Sequence, residues 1–379
     1  MELFINTKEL SNELNKMQGI VSRASQGTIY THVRFEAKGS TLTITATDNK
    51  MTLISHCENV RVVEEGSLCI KGKKILQIIK TVDGENTHLK ASGVKLQLHS
   101  GSAKFDILEC RDAWEFPQTR GLDSAAKIKV TSTALKRLID ETVFAISDEL
   151  ERASLIGANL EQCTNEQGYP VLRMVTTDGN RLSISETSFE GELNDEIANI
   201  LNNMLIPKSA LLELRKLCDS SGEEWIINFG TQEAEFQCEG TAFQFLLIEG
   251  HFPDYNRILS TLNLTNSAIV NRKQLQSIFK RVFAMVNRRD LSVSFGFSED
   301  FLEISAENAD FGTFKEQMGI SFEGEDLTIA FNLQYVQDVL NALREDFFRM
   351  ELGGNISPCL VKNPESEEAK FIVMPMRIR

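Results

Sequence analysis

The stretch Leu3-Phe4-Ile5-Asn6-Thr7-Lys8-Glu9-Leu10 returns twice, as Ile128-Lys129-Val130-Thr131-Ser132-Thr133-Ala134-Leu135 and as Ala268-Ile269-Val270-Asn271-Arg272-Lys273-Gln274-Leu275. Each copy reads as a short apolar strand, a polar capping residue and a helix entered through leucine. The helix faces agree: Leu10, Leu14 and Met17; Leu135, Leu138 and Ile139; Leu275, Ile278, Phe279 and Val282. This is the spacing of one apolar helical stripe. A second helix recurs in each copy. Ile70 leads to Ile75, Ile78, Ile79 and Val82; Ile206 leads to Leu211, Leu214 and Cys218; Phe331 leads to Val336, Val339, Leu340 and Leu343. Period-two alternation fills the rest, as in Leu42/Ile44/Ala46, Val94/Leu96/Leu98, Phe243/Phe245/Leu247 and Leu302/Ile304/Ala306.

Two smaller echoes support the repeat. Thr47-Asp48-Asn49-Lys50-Met51 resembles Thr177-Asp178-Gly179-Asn180-Arg181-Leu182, a turn between strands, and the copies close on Phe116-Pro117, Phe252-Pro253 and Met374-Pro375. The period of about 125–140 residues is long enough for each copy to own a core. The expected architecture is α+β with three tandem domains, 1–123, 124–262 and 263–379, divided near Asp123-Ser124-Ala125 and Leu262-Asn263-Leu264.

Composition is that of an ordinary globular chain, at 42% hydrophobic and 25% charged, which excludes disordered and collagen-like classes. No apolar run reaches the roughly 18–20 residues of a membrane helix, and the start carries no secretory pattern, so a soluble cytoplasmic protein is expected. The seven cysteines, Cys57, Cys69, Cys110, Cys163, Cys218, Cys238 and Cys359, form no C-x-x-C pair and read as reduced structural thiols. No phosphate-binding glycine loop, zinc motif or nucleophile elbow appears. His32, His56, His88, His99 and His251 are scattered, and the Asp195/Glu196 and Glu365/Glu367/Glu368 clusters read as solvated loops. Asp178 is the best isolated carboxylate, and it reads as a turn residue before a catalytic one. No enzyme activity, cofactor or metal is expected.

The net charge of −14 argues against a bulk electrostatic grip on nucleic acid. The charge is sorted, however. The six repeated helices, taken as Asn6–Gln18, Lys71–Thr81, Thr131–Val143, Pro207–Leu217, Asn271–Phe283 and Asn332–Arg344, hold sixteen basic and six acidic residues, a surplus of ten, so the remainder carries −24. Lys73, Lys74 and Lys80 crowd one helix, Lys208, Arg215 and Lys216 another, and Arg272, Lys273, Lys280 and Arg281 a third. Each helix packs one face on its sheet, so these cations point away from it, toward a polyanion. Few aromatics interleave them, which fits backbone contact rather than base stacking.

Four stretches carry a resemblance to a known family. They are Val175-Thr176-Thr177-Asp178-Gly179-Asn180-Arg181-Leu182, Phe252-Pro253-Asp254-Tyr255-Asn256-Arg257, the run from Phe331 to Leu343, and Val373-Met374-Pro375-Met376-Arg377-Ile378. In this order, on a threefold repeat, the chain resembles over its full length the bacterial DNA polymerase III β subunit, the sliding clamp. The resemblance implies three clamp domains per chain and a six-domain ring of two chains, with helices lining the hole and sheets outside. Double-stranded DNA would be encircled without sequence preference, and the ring would tether replicative and other polymerases and meet a clamp loader. It implies DNA-facing cations at Arg23, Lys73, Lys74, Lys80, Lys136, Arg137, Arg152, Lys208, Arg215, Lys216, Lys280 and Arg281. It implies a partner-peptide pocket at Leu155, Thr177, Gly179, Asn180, Arg181, Leu182, Pro253, Arg257, Ile258, Asn332, Tyr335, Val373, Met374, Pro375, Met376 and Arg377. Within it, Arg181, Arg257, Asn332 and Tyr335 would hold a peptide's polar groups. It implies a dimer seam at which Phe105 and Ile107 face Ala284 and Met285. The chain departs from the pattern at Asn180, at Ala153-Ser154, within Ala24–Tyr30 and at the additional Arg379. Two rival readings stand beside the ring: a protein–protein scaffold on the same repeat that does not encircle DNA, and an enzyme with a site around Asp178 and Arg181.

Overall fold

The computed structural model describes residues 1–23, 25, 27–118, 122, 127–149, 151–191, 195–287 and 290–377. Ala24, Gln26, the expected boundary Asp123-Ser124-Ala125, the Ala153 side chain and Arg379 lie outside the described residues. The described helices are α1 (Thr7–Val21), α2 (Gly72–Ile79), α3 (Ser132–Thr142), α4 (Asp195–Asn203), α5 (Lys208–Cys218), α6 (Asn256–Ser260), α7 (Arg272–Met285) and α8 (Leu333–Ala342).

The expected caps form. The Asn6 side chain accepts from the Lys8 and Glu9 amides at 3.0 and 3.1 Å, Thr131 Oγ1 accepts from Ala134 N at 3.2 Å, and Asn271 Oδ1 accepts from Gln274 N at 2.9 Å. Each satisfies an amide that the first helical turn leaves open, a contribution of about 1 kcal/mol per cap. The leucine-entered stripes are buried in all three copies.

The chain packs as two compact units. The first comprises Met1–Lys136, Phe189–Ile200 and Ser209–Leu247. It holds a five-stranded antiparallel sheet ordered Arg61–Glu64, Glu2–Asn6, Asn86–Ser92, Lys95–Ser100, Ala103–Ile107. A nine-stranded sheet joins the beginning of the chain to its middle. In it Met51–Cys57 pairs with Thr241–Leu246, so that Leu53 faces Phe243 and Met51 faces Phe245. The second unit comprises Arg137–Ser188, Leu201–Lys208 and Ile248–Arg379. Its ten-stranded sheet joins middle to end by pairing Arg181–Thr187 with Ala369–Val373, Leu182 opposite Ile372. A four-stranded sheet, ordered Gly312–Gly319, Phe301–Asn308, Ser292–Ser298, Leu327–Asn332, packs against α7 and α8 through a phenylalanine core. There the Phe279, Phe295 and Phe331 rings meet edge to face, at centroid distances of 6.0 and 5.3 Å. The middle of the chain thus supplies strands to both units.

Several local expectations are corrected. Asp195 and Glu196 open α4 rather than lying in a loop, because Ile197 and Leu201, one turn apart, are buried. Val94 is not a strand residue: Gly93 at φ +57° turns the chain and leaves Val94 47% exposed. Helix α2 stops at Ile79 and α8 at Ala342, so Val82 and Leu343 are not part of their stripes, and Leu247 lies past the end of the strand Thr241–Leu246. The cysteines are unpaired, and all but Cys163 are buried. Burial pushes the Cys57 and Cys69 thiols up to about 12 and those of Cys110 and Cys163 up to about 11, which keeps them protonated and unreactive.

Candidate functional site

The second unit concentrates most of the family-implied pocket around one tight turn. Thr177 Oγ1 donates to Arg181 O at 2.6 Å and accepts from Gly179 N at 3.0 Å, while Asp178 Oδ1 accepts from the Asn180 and Arg181 amides at 2.9 and 3.0 Å. Gly179 sits at φ +89°. The echo in the first unit builds the same turn. Thr47 Oγ1 donates to Met51 O, Asp48 Oδ1 accepts from the Lys50 and Met51 amides, and Asn49 sits at φ +75°. Asp178 is therefore a turn former, as its sequence context indicates.

Arg181 follows the turn with its side chain only 10% exposed. Its guanidinium donates to Asp178 Oδ2 at 3.0 Å, Asp338 Oδ2 at 2.5 Å and Phe144 O at 2.7 Å. It also lies over the Tyr335 and Phe144 rings at 4.6 and 5.2 Å. Three of its five N–H donors are engaged within the chain, so it ties the turn to Asp338 and to the Phe144 carbonyl. Phe144 and Asp338, which complete this frame, were not visible in the sequence: Asp338 lies 157 residues away.

The frame holds an exposed ledge. Met374 N donates to Asn180 O at 2.9 Å, which leaves the Met374 side chain 39% exposed beside the turn. Burial, and then the neighbouring Asp178 carboxylate, raise the Tyr335 phenol above its usual range. Asn332 spends its carbonyl on capping α8 through Gln334 N at 2.9 Å. Leu155, Thr177, Leu182 and Val373 are buried and serve as packing beneath the ledge. Pro253, Arg257 and Ile258 are exposed, the last at 37%, on or beside α6, which is anchored through Tyr255, Phe252 and Leu259 to the sheet face bearing Leu182. Met376 N donates to Ala330 O at 2.7 Å, and Met376 and Arg377 line a recess of about 430 Å³ with Ser292, Ser305 and Lys315, on the four-stranded sheet.

The helix cations divide in a way their spacing does not reveal. Arg23 and Lys216 pair with Glu213, Lys136 with Asp219, Arg137 with Glu141 and Glu368, Arg152 with Glu149, Lys208 with Asp148, and Arg281 with Glu316. Arg215 is engaged as well. Arg137 also donates to Glu186 O and is turned toward its sheet, against the expectation that helix charges point away from it. Among the described residues Lys73, Lys74, Lys80 and Lys280 make no ion pair, and all four are exposed.

The seam residues fall at two places. Phe105 and Ile107 are half-buried on Ala103–Ile107, the edge strand of the five-stranded sheet, beside a groove of about 490 Å³ that includes Ile78 and the 65%-exposed Leu108. Ala284 is exposed and Met285 half-buried at the end of α7, which packs on another edge strand, Gly312–Gly319. That second edge carried no signal in the sequence reading.

The repeated helix-on-sheet domains define an α+β repeat protein, and comparison gives its family. Models of the N-terminal, central and C-terminal domains of the DNA polymerase III beta subunit match residues 1–120, 129–254 and 259–377. The beta sliding clamp of Haemophilus influenzae is 30% identical over the whole of both chains, and that of Vibrio cholerae 26%. Among solved structures, the sliding clamp of Caulobacter crescentus superimposes at a TM-score of 0.87 with 26% identity over both full chains. The clamp of Bartonella birtlesii bound to griselimycin superimposes at 0.92 with 24% identity, also over both full chains. The chain belongs to the bacterial DNA polymerase III β-subunit family. It is a DNA sliding clamp, a non-catalytic processivity subunit that dimerises around duplex DNA. The scaffold and enzyme readings give way to this match.

Proposed function

We propose that the clamp works in the cytoplasm through three surfaces: the ledge at Asn180, Tyr335 and Met374, the free lysines of α2 and α7, and the edge strand Ala103–Ile107. The ledge receives short peptides from replicative and other polymerases and from the clamp loader. The observation that supports this is an apolar side chain, Met374, held in the open by a backbone hydrogen bond to a rigid turn. Its flexible thioether suits several peptide sequences. Pro253, Arg257 and Ile258 supply a second wall, Leu155, Thr177, Gly179, Leu182 and Val373 the floor, Asn332 and Pro375–Arg377 the margins. Arg181 holds the frame together.

For the duplex, a closed ring needs no tight phosphate grip, since departure requires opening. Weak attraction from a few unpaired lysines suffices and permits sliding. Replacing Lys73, Lys74, Lys80 and Lys280 together by alanine should flatten the salt dependence of duplex affinity by up to about 3.6 log units per log unit of salt for each protomer, about 7 for the dimer. Fluorescence anisotropy at several salt concentrations measures it. An unchanged slope would move DNA contact elsewhere.

The encircling function is tested by loading the protein onto nicked plasmid with a clamp loader and ATP, then washing at high salt before and after linearisation. Retention on the circle and loss from the line is the expected result. Loss from both, where a control clamp stays on the circle, would mean ordinary ionic binding.

A further inference from the structure

We propose that Glu213 is a built-in restraint on DNA affinity: it withholds Arg23 and Lys216 from the duplex. The proposal rests on reading α1 and α5 as DNA-facing. Glu213 lies on α5 in a polar cleft of about 440 Å³ between these helices, with Asn12, Asn15, Gln18, Lys216 and Ser220 among its walls. Its side chain is 5% exposed, and its Oε1 meets Arg23 Nη2 and Lys216 Nζ, each at 2.9 Å. The two cations reach solvent, at 32% and 63% exposure.

That asymmetry decides the behaviour of the triad. A phosphate that drew Arg23 or Lys216 away would strip a buried carboxylate of its partners, which is strongly unfavourable. Lys208, Lys136 and Arg152 face no such penalty: their partners Asp148, Asp219 and Glu149 are 87%, 53% and 69% exposed, and such surface pairs exchange readily for phosphate. The helix opposite is shaped to admit the carboxylate. A Cβ on Gly19, inside α1, would stand 1.8 Å from Glu213 Oε2, so α1 carries a glycine where helix propensity favours alanine. With Glu213 charged, the triad presents one net positive charge. Without it the triad would present two, and the ring would drag on the phosphates it must slide past.

The test uses the full-length dimer, a fluorescent 40-base-pair duplex and 50–200 mM NaCl. Glu213→Gln should raise duplex affinity roughly tenfold at 50 mM salt and about threefold at 200 mM, the salt response of one additional phosphate contact per ring. Adding Arg23→Ala and Lys216→Ala should remove the gain. If Glu213→Gln does not dimerise, Glu213→Asp, which draws the carboxylate back by one methylene, should give a smaller gain in the same direction. Equal affinity and slope for the wild type and the Glu213 variant, with a wild-type slope that the four-lysine variant flattens, would overturn the restraint while leaving the DNA-facing reading standing. A wild type with no salt-dependent affinity would overturn both.

Discussion

Phe105→Asp should yield a monomer in sedimentation velocity and a protein that washes off circular DNA. The argument begins from the strand edge. Among the described residues Ala103–Ile107 pairs on its Lys95–Ser100 side alone, which leaves its other row of amides and carbonyls to pair with another chain. Phe105 and Ile107 stay half-buried and Leu108 is 65% exposed, so the edge is apolar as well as unpaired. If this edge meets Ala284 and Met285 of the partner subunit, a carboxylate at 105 is buried against apolar side chains. Such a charge costs several kcal/mol. The ring repeats the seam twice, so the penalty doubles, and dimer dissociation should rise by more than about 10³-fold at 1.4 kcal/mol per decade. Met285→Asp should act from the other side. A protein carrying both substitutions that still sediments as a dimer would refute the seam.

The second large effect is expected at Arg181. Alanine there removes three hydrogen bonds and two ring contacts at once, and leaves Asp178 and Asp338 without their cation while their side chains are 15% and 21% exposed. Breaking such a pair from one side costs about 3 kcal/mol, a fall in Tm of roughly 6–12 °C for a cooperative unit of this size. The turn that carries Asn180 and the α8 segment that carries Tyr335 lose their shared clamp, so affinity for a polymerase-derived peptide should fall more than tenfold. Arg181→Lys should not restore it, because a point charge cannot span Asp178, Asp338 and the Phe144 carbonyl in one plane. Calorimetry and a peptide titration measure the two effects. A Tm within about 1 °C of the wild type would show that the guanidinium is dispensable to the frame.

What was legible in the sequence was local. The caps Asn6, Thr131 and Asn271, the leucine-entered helix stripes, and the twin Thr-Asp turns each depend on residues within a few positions of one another, where periodicity and turn chemistry act directly. α4 escaped because its acids suggested solvent while only Ile197 and Leu201 spoke for burial. The pocket residues came from family resemblance, and spacing alone would have left Leu155, Leu182 and Val373 as plain core.

The sequence by itself determined the threefold repeat, its α+β character and the sorting of charge onto helices, because these follow from chain-local pattern. Only the tertiary structure decided which of those charges remain available. Arg23 finds Glu213 190 residues away, Lys136 finds Asp219 at a separation of 83, and Arg181 finds Asp338 at 157. Ion pairs form between side chains that the packing of sheets and helices brings within a few ångströms. Helical periodicity tells which face a lysine occupies, and the fold alone tells which carboxylate stands beside it.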